Sequence, residues 1–125
     1  MIIKGIQMVG LYVRDFQAAL DFYRDTLGIP LQVDAHGDYH HADYSFQNPY
    51  FHFAIFPARR KGTAVPTHLS FQVEDCQQAF DRAVRAGAIV RRAPQLMSYS
   101  GGGLSAEVFD PDGNEVELFQ PTSSN

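Results

Sequence analysis

The chain has 125 residues, of which 45% are hydrophobic and 19% are charged, and its net charge is −4. This length predicts one domain with a single core, and the composition is typical of a folded globular protein. The acidic balance argues against nucleic-acid binding, the lack of a long apolar run argues against a membrane span, and the single cysteine excludes an intrachain disulfide. We therefore expect a cytoplasmic protein.

An internal repeat organises the chain. Residues 8–21 and 68–81 share five identical positions of fourteen at a constant spacing of sixty, within the same apolar pattern. The identical pairs are Val13 and Val73, Asp15 and Asp75, Gln17 and Gln77, Ala19 and Ala79, and Asp21 and Asp81. The repeat predicts two copies of one unit within a single domain, with a first module at about residues 5–56, a linker at 57–66 and a second module at about 67–120.

The first copy begins with a predicted strand that ends at Val13, and Asp15 follows it as a preferred residue for the start of a helix. Apolar residues then recur at intervals of three and four from Phe16 to Leu27, which predicts an amphipathic helix. A glycine and a proline shortly after Leu27 end this helix. Three further strands are predicted at residues 31–35, 39–47 and 50–56.

The second copy repeats this order, with a strand at residues 68–73, a helix at 76–86 after Asp75, and strands at 89–92, 104–109 and 115–119. The residues from Asp110 to Asn114 form a strong turn signal. The segment 97–103 ends in three glycines and is a candidate lid. Three strands after each helix predict an α+β fold in which two βαβββ modules form a cupped mixed sheet.

Four equivalent positions of the two copies hold residues that could carry chemistry. His68 opens the first strand of the second copy, and Met8 is its repeat partner in the first copy. His52 and Glu117 occupy matching places in the last strands. Two imidazoles and a carboxylate in an apolar sheet are costly to bury unless they are paired or bind a cation. The pattern therefore predicts a site for a divalent metal ion.

Aromatic side chains are dense in the strands of the first copy, and by alternation about half of them should line a cavity. The predicted lining residues are Met8, Tyr39, Tyr44, Phe46, Tyr50 and Tyr99. His40 and His41 are adjacent on a predicted strand, so their side chains point to opposite faces of the sheet. We expect a surface or hydrogen-bonding role for this pair.

The segments DFYRDTLGI, HLSFQVED and FDPDGNEVELFQ resemble the vicinal oxygen chelate superfamily, which includes glyoxalase I, extradiol dioxygenases, fosfomycin-resistance proteins and bleomycin-sequestering proteins. The resemblance covers the chain from about Gln7 to Gln120. It implies that His52, His68 and Glu117 hold a metal such as Zn, Ni, Mn or Fe(II), and that Glu117 is also the catalytic residue that moves a proton. Met8 departs from the family, because it stands where most metal-binding members have a histidine.

Two functions follow from this resemblance. The first is a glyoxalase-like, metal-dependent enzyme of the lyase, isomerase or dioxygenase type that acts on a small oxygen-chelating substrate. The alternative is a metal-free binding protein of the bleomycin-resistance type that sequesters a small aromatic or cationic drug. His68 and Glu117 favour the enzyme, which we expect, whereas Met8, the acidic charge and the aromatic strands favour the binding protein. Both functions imply a homodimer.

Overall fold

The computed structural model describes residues 1, 6, 8–36, 39–47, 51–58 and 67–122, without the side chains of residues 35, 36 and 39. The chain forms two compact units, Met1–Val65 and Pro66–Asn125. Each unit has a strand, a helix and three further strands in that order, so the predicted α+β class with two βαβββ modules is confirmed. No helix in the described ranges is long and apolar enough to cross a membrane.

The first unit is a four-stranded sheet with one helix. Its elements are β1 (Met8–Val13), α1 (Phe16–Leu20), a π-helical continuation of α1 (Asp21–Thr26), β2 (Gln32–His36), β3 (Tyr39–Phe46) and β4 (Phe51–Pro57). The strand order is β1-β4-β3-β2, in which β1 is parallel to β4 and the other neighbours are antiparallel. The π-helical continuation packs on the sheet through Tyr23, whose buried ring lies 5.3 Å from the buried ring of Phe53.

The second unit has the same topology. Its elements are β5 (His68–Gln72), α2 (Cys76–Arg85), β6 (Ile89–Met97), β7 (Gly103–Phe109) and β8 (Glu115–Pro121). The strand order is β5-β8-β7-β6, and β5 is parallel to β8. The buried thiol of Cys76 in α2 donates a hydrogen bond to the carbonyl of Leu118 at 3.3 Å. The Cys76 N–H donates to the Gln120 side chain at 2.9 Å, so α2 covers the face of the sheet that carries Gln120 and, by alternation, Leu118.

The internal repeat corresponds to matching local structure at the two helix starts. The carboxylates of Asp15 and Asp75 accept hydrogen bonds from the backbone N–H groups of Ala18 and Gln78, at 3.0 and 2.9 Å. These caps satisfy N–H groups that have no partner within the helix. In each copy the glutamine two residues after the cap donates to an aspartate one turn later, at 2.8 and 2.9 Å. Three of the five repeated pairs therefore make matching hydrogen bonds at the helix starts.

The predicted turn between β7 and β8 also fixes the register of the second sheet. The Asp110 carboxylate accepts hydrogen bonds from the backbone N–H groups of Asp112 and Asn114 and from the Asn114 side chain, at 2.9, 2.8 and 2.7 Å. The Asn114 side-chain oxygen in turn accepts from the Thr67 N–H at 2.7 Å, and the Glu115 N–H donates to the Thr67 carbonyl at 2.8 Å. The start of β5 is thereby held beside the start of β8.

The strand predicted to end at Arg92 is longer than expected, because β6 continues to Met97. A proline lacks the N–H group that a central strand needs, but β6 lies at the edge of its sheet, where Pro94 is tolerated. The pairing of β6 with β7 shifts register on both sides of Arg92. This irregularity lets the consecutive Arg91 and Arg92 side chains reach the same carboxylate, that of Glu107.

Candidate functional site

Polar side chains share one face of the second sheet. The register places His68 opposite Glu115 and Ser70 opposite Glu117, and alternation puts these residues on the face away from α2. We call this the polar face of the second unit. Its residues are His68, Ser70, Arg91, Arg92, Ser105, Glu107, Glu115, Glu117 and Phe119, together with Tyr99 from the loop between β6 and β7.

Glu117, the predicted catalytic residue and metal ligand, is buried in β8. Its carboxylate accepts a hydrogen bond from the Ser105 hydroxyl at 2.6 Å and another from the Tyr99 hydroxyl. Burial by itself raises the pKa of Glu117, but hydrogen bonds from Ser105, Tyr99 and Ser70, helped by the charge of His68, hold that pKa below its ordinary value. Glu117 is therefore ionised at neutral pH and well supplied with donors.

The guanidinium of Arg92 lies at the centre of the polar face. Its Nη2 atom is 2.9 Å from the Glu107 carboxylate, 2.8 Å from the Ser105 hydroxyl and 3.8 Å from the Glu117 carboxylate. Its Nη1 atom donates to the Ser105 carbonyl at 3.0 Å. Arg92 thus places a positive charge between two buried carboxylates and offsets part of the cost of burying them.

A second group of charged side chains lies where β5 meets β8. His68 Nδ1 is 3.0 Å from Glu115 Oε2 and 3.7 Å from Glu107 Oε1. The hydrogen bond with His68 is the main cause that lowers the pKa of Glu115. Arg91 donates to the other oxygens of these two carboxylates, at 3.1 Å to Glu115 Oε1 and 3.2 Å to Glu107 Oε2. Glu107 Oε1 is buried and accepts no hydrogen bond from any residue in the described ranges.

An aromatic pair borders this network. The rings of Tyr99 and Phe119 are stacked, with centroids 5.8 Å apart and planes inclined by 27°. Gly103 makes room for them, because a Cβ atom at that position would lie 2.7 Å from the Phe119 ring. Tyr99 is 44% exposed, so part of this aromatic surface is open to solvent.

The first unit holds the other predicted ligand, His52. His52 lies in β4 opposite Met8 of β1. Its Nδ1 atom is 2.9 Å from the Ser45 hydroxyl and its Nε2 atom is 3.5 Å from Asp43 Oδ2. The same Asp43 oxygen is 3.2 Å from His41 Nε2. His52 therefore has polar partners within its own sheet, and the metal-ligand role assigned to it with His68 and Glu117 stays a prediction.

The aromatic residues predicted to line a cavity fall in different places. Tyr44 of β3 is paired with Phe53, and Phe46 lies on the same side of the strand, which is the side covered by the helix. They are on the opposite face of the sheet from His52, so we leave them out of the proposed site. Tyr50 and the side chain of Tyr39 lie outside the described part of the chain.

Several residues of the polar face were not anticipated: Arg92, Ser105, Glu107, Glu115 and Phe119. Ser105, Glu107 and Glu115 have a signal in the sequences LSAEVF of β7 and EVELF of β8, where alternation places the polar residues on one face. Arg92 reaches its partners through the register shift in β6, for which the sequence offers no comparable signal.

Two groups of side chains have the composition and spacing to hold a metal ion. Asp34, His41 and Asp43 form the group in the first unit, and His68, Glu107 and Glu115 form the group in the second. In each group one ligand atom from every residue lies within 4.8 Å of the others. Glu117 belongs to neither group.

A family model described as the Glyoxalase/Bleomycin resistance protein/Dioxygenase superfamily matches residues 5–118 of the chain. The comparison of the chain with curated proteins found no match.

The chain is also similar to solved structures. One is TnmS3, an antibiotic binding protein from Streptomyces sp. CB03234, with 26% identity and a TM-score of 0.74, covering 98% of this chain and 99% of that one. Another is lactoylglutathione lyase from Agrobacterium tumefaciens, with 20% identity, a TM-score of 0.67 and 94% of each chain covered. A third is a superfamily member from Sphaerobacter thermophilus, with 21% identity, a TM-score of 0.68, and 96% of this chain and 99% of that one covered. At these identities the second and third similarities show the fold alone.

Proposed function

We propose that this chain, which belongs to the glyoxalase/bleomycin resistance protein/dioxygenase superfamily, binds a small aromatic molecule that carries an N–H or O–H donor and does not transform it. The binding surface is the polar face of the second unit. The observation that carries the proposal is the buried Glu107 Oε1 atom, which accepts no hydrogen bond within the described ranges.

A buried acceptor without a donor is costly to the protein, by about 1–3 kcal/mol and more for a charged group. His68 Nδ1, at 3.7 Å, is too distant from Glu107 Oε1 for a hydrogen bond. A ligand amine or hydroxyl that reaches this oxygen recovers the lost hydrogen bond. The side chain of His68 is 50% exposed, which leaves the cluster accessible from solvent.

The stacked rings of Tyr99 and Phe119 offer a surface for a planar ligand ring. The Tyr99 hydroxyl is held by Glu117, so the tyrosine ring is already oriented before a ligand arrives. An oriented ring loses little conformational entropy on binding, which favours affinity. A planar ring beside a donor group is therefore the ligand chemistry that suits this face.

Glu117 is poorly suited to the catalytic role. A general base works best when its pKa lies near the working pH, whereas hydrogen bonds hold the pKa of Glu117 below its ordinary value. The guanidinium of Arg92, 3.8 Å from Glu117, also repels a second cation at this carboxylate. Both features support binding over turnover.

The similarity to an antibiotic binding protein at 26% identity supports the same choice. The similarity to a lyase, at 20% identity, concerns the fold alone and gives no weight to catalysis.

Proflavine, a planar aromatic cation with amino donors, tests the proposal by fluorescence titration. Acridine has the same ring system but lacks both the amino groups and the positive charge of proflavine at neutral pH, so it serves as the probe without a donor. We expect proflavine to bind more tightly than acridine, Tyr99→Ala to weaken both, and Glu107→Gln to remove the preference for proflavine. Glu74→Gln, an exposed carboxylate just before α2, is the control variant. Lack of saturable binding of proflavine, acridine and bleomycin would contradict the proposal.

The metal-dependent enzyme is a second candidate, favoured by one observation. Glu107 Oε1 can be satisfied by a cation as well as by an amine, and His68 and Glu115 supply ligand atoms close to it. Arg91 donates a hydrogen bond to each of these carboxylates, and such bonds commonly orient the ligands of a metal. A divalent ion such as Zn, Ni, Mn or Fe(II) held there would supply Lewis-acid chemistry toward a chelating substrate.

Of the predicted ligands, His68 fits such a metal best, because Glu117 already receives donors from Ser105 and Tyr99. Elemental analysis of untagged protein separates the two candidates. Stoichiometric metal that is lost in Glu115→Gln favours the enzyme. Proflavine binding that is unchanged by EDTA favours the binding protein.

We also propose that the chain forms a homodimer through β6. This edge strand exposes Ile89 and Leu96, which are 70% and 77% accessible, and a second copy would remove them from water. Sedimentation velocity tests the proposal with Leu96→Asp, which should sediment as a monomer while the wild type sediments as a dimer. A wild-type protein that stays monomeric at all concentrations would contradict it.

A further inference from the structure

We propose that the first unit binds a zinc ion at a site formed by Asp34, His41, Asp43 and His52. The site lies within one sheet and uses neither His68 nor Glu117. It is independent of the ligand proposed for the second unit.

Strand registers bring these four side chains to one face. Asp34 of β2 is paired with His41 of β3, and Ser45 of β3 is paired with His52 of β4. Asp43 lies between His41 and Ser45 at the same two-residue spacing, so its side chain is on the same face. Three neighbouring strands therefore contribute two imidazoles and two carboxylates to one face of the sheet.

Asp34, His41 and Asp43 each have a ligand atom within 4.8 Å of the others, and His52 is outside this group but contacts it through Asp43. Zinc binds imidazole nitrogen and carboxylate oxygen at about 2.0–2.2 Å, so two ligands of a tetrahedral ion lie about 3.4 Å apart. Asp43 Oδ2 is 3.2 Å from His41 Nε2 and 3.5 Å from His52 Nε2. Asp34 Oδ2 is 3.9 Å from His41 Nε2. The side chain of Asp34 is 58% exposed and has room to close this last distance.

Neighbouring groups orient both imidazoles. His52 Nδ1 is 2.9 Å from the Ser45 hydroxyl, which leaves Nε2 directed at Asp43. The ring of His41 stacks on Phe56, with centroids 5.6 Å apart and planes inclined by 25°. In histidine ligands of metals, the ring nitrogen that faces away from the metal is commonly held by a hydrogen bond.

The charge balance also suits a divalent cation. Two carboxylates and two neutral imidazoles carry a charge of −2, which a zinc ion neutralises. In the second unit, by contrast, Glu107 already pairs with Arg91 and Arg92. The charged side chain of Asp43 instead contacts His41 and His52, whose imidazole nitrogens are common zinc ligands.

Cobalt substitution tests the proposal, because a tetrahedral site for Co²⁺ with nitrogen and oxygen ligands gives visible absorption bands. Untagged protein stripped with EDTA is titrated with Co²⁺, and zinc is then added to displace it. We expect the wild type to bind one equivalent of Co²⁺, and Asp43→Asn and His41→Gln to bind none. Zinc affinity should fall at least about 100-fold in these two variants and about 10-fold in Ser45→Ala. His40→Gln is the matched control. His40 precedes His41 on β3, and its ring packs against Phe16 of α1, on the opposite face of the sheet from the proposed site.

Circular dichroism of each variant establishes that it is folded, and zinc should raise the melting temperature of the wild type but not of Asp43→Asn. The proposal is overturned if the wild type takes up no Co²⁺ or zinc. It is also overturned if the bound ion survives Asp43→Asn and His41→Gln but is lost in Glu115→Gln, because the second unit would then hold it.

Discussion

The hydroxyl of Tyr99, in the loop between β6 and β7, donates a hydrogen bond to the buried carboxylate of Glu117 in β8. The same tyrosine ring stacks on Phe119, two residues further along β8. The loop that the sequence marks as a candidate lid is therefore tied to β8 through Tyr99. Any opening of this loop has to break a hydrogen bond to an ionised group, which links loop motion to the state of Glu117.

Tyr99→Phe should destabilise the protein while keeping the stacked ring. The change removes one donor from an ionised carboxylate, and a hydrogen bond to a charged group contributes about 1.5–3 kcal/mol. We expect the free energy of unfolding in urea to fall by about 2 kcal/mol. Tyr12→Phe is the control, because Tyr12 is an exposed residue of β1 in the other unit. Equal effects of the two substitutions would contradict the role given to the Tyr99 hydroxyl.

Glu117 should make stability depend on pH in a defined direction. Its pKa in the folded protein is lower than the ordinary value of 4.5, so the unfolded chain binds the proton first. The stability that the ionised carboxylate supplies is complete above pH 4.5 and is lost as the pH falls through the lower folded value. We expect Glu117→Gln to flatten the stability curve in this acidic range.

Denaturation with urea at a series of pH values measures this effect. Glu74→Gln removes an exposed carboxylate and is the control. A slope that is as steep in Glu117→Gln as in the wild type would show that other carboxylates carry the pH dependence.

Sequence predicted most of the fold because local signals and the repeat agreed. Asp15 and Asp75 each follow a strand, and both cap a helix at the expected place. The turn from Asp110 to Asn114 was predicted from its residue types, and its side chains make the expected local hydrogen bonds.

The site was harder to predict because it depends on register. The resemblance predicts that His68 and Glu117 bind the same metal. The bond between Thr67 and Asn114 instead fixes the register of β5 so that His68 contacts Glu115. A displacement of two residues along a strand keeps the same face and changes every neighbour. The position of Arg92 depends on a register shift in β6, which is decided by pairing with β7 and not by local propensity.

Asp110→Ala should show how far the turn controls this register. The substitution removes the acceptor of three hydrogen bonds inside a buried turn, and we expect a loss of about 2–4 kcal/mol in the free energy of unfolding. Pro111→Ala changes an exposed residue of the same turn and is the control. If the turn fixes the register of β5, amide hydrogen exchange in β5 should be faster in Asp110→Ala than in the wild type. Unchanged exchange in β5 would show that the turn does not control the register.

Cys76 should be unreactive in the folded protein. Its side chain is fully buried, and burial raises the pKa of the thiol, which lowers the fraction of reactive thiolate. The thiol also donates to the Leu118 carbonyl at 3.3 Å. We expect slow modification by a maleimide in native buffer and rapid modification in denaturant, followed by mass spectrometry. Fast native labelling would mean that α2 leaves the sheet readily.

Gly103→Ala should disturb the aromatic pair without removing any of its atoms. A Cβ atom at this position would lie 2.5 Å from the carbonyl oxygen of Gln120 and 2.7 Å from the Phe119 ring, so backbone or ring has to move. Overpacking of this kind costs about 1–3 kcal/mol. Because the Phe119 ring supports Tyr99, we expect weaker proflavine binding as well as lower stability.

Ser98→Ala, an exposed change in the adjoining loop, is the control for Gly103→Ala. A crystal structure of Gly103→Ala should show the Phe119 ring displaced and the Tyr99 hydroxyl moved from Glu117. If stability falls but proflavine binding is unchanged, the aromatic pair is a packing feature of the sheet, and the ligand contacts assigned to Tyr99 are wrong.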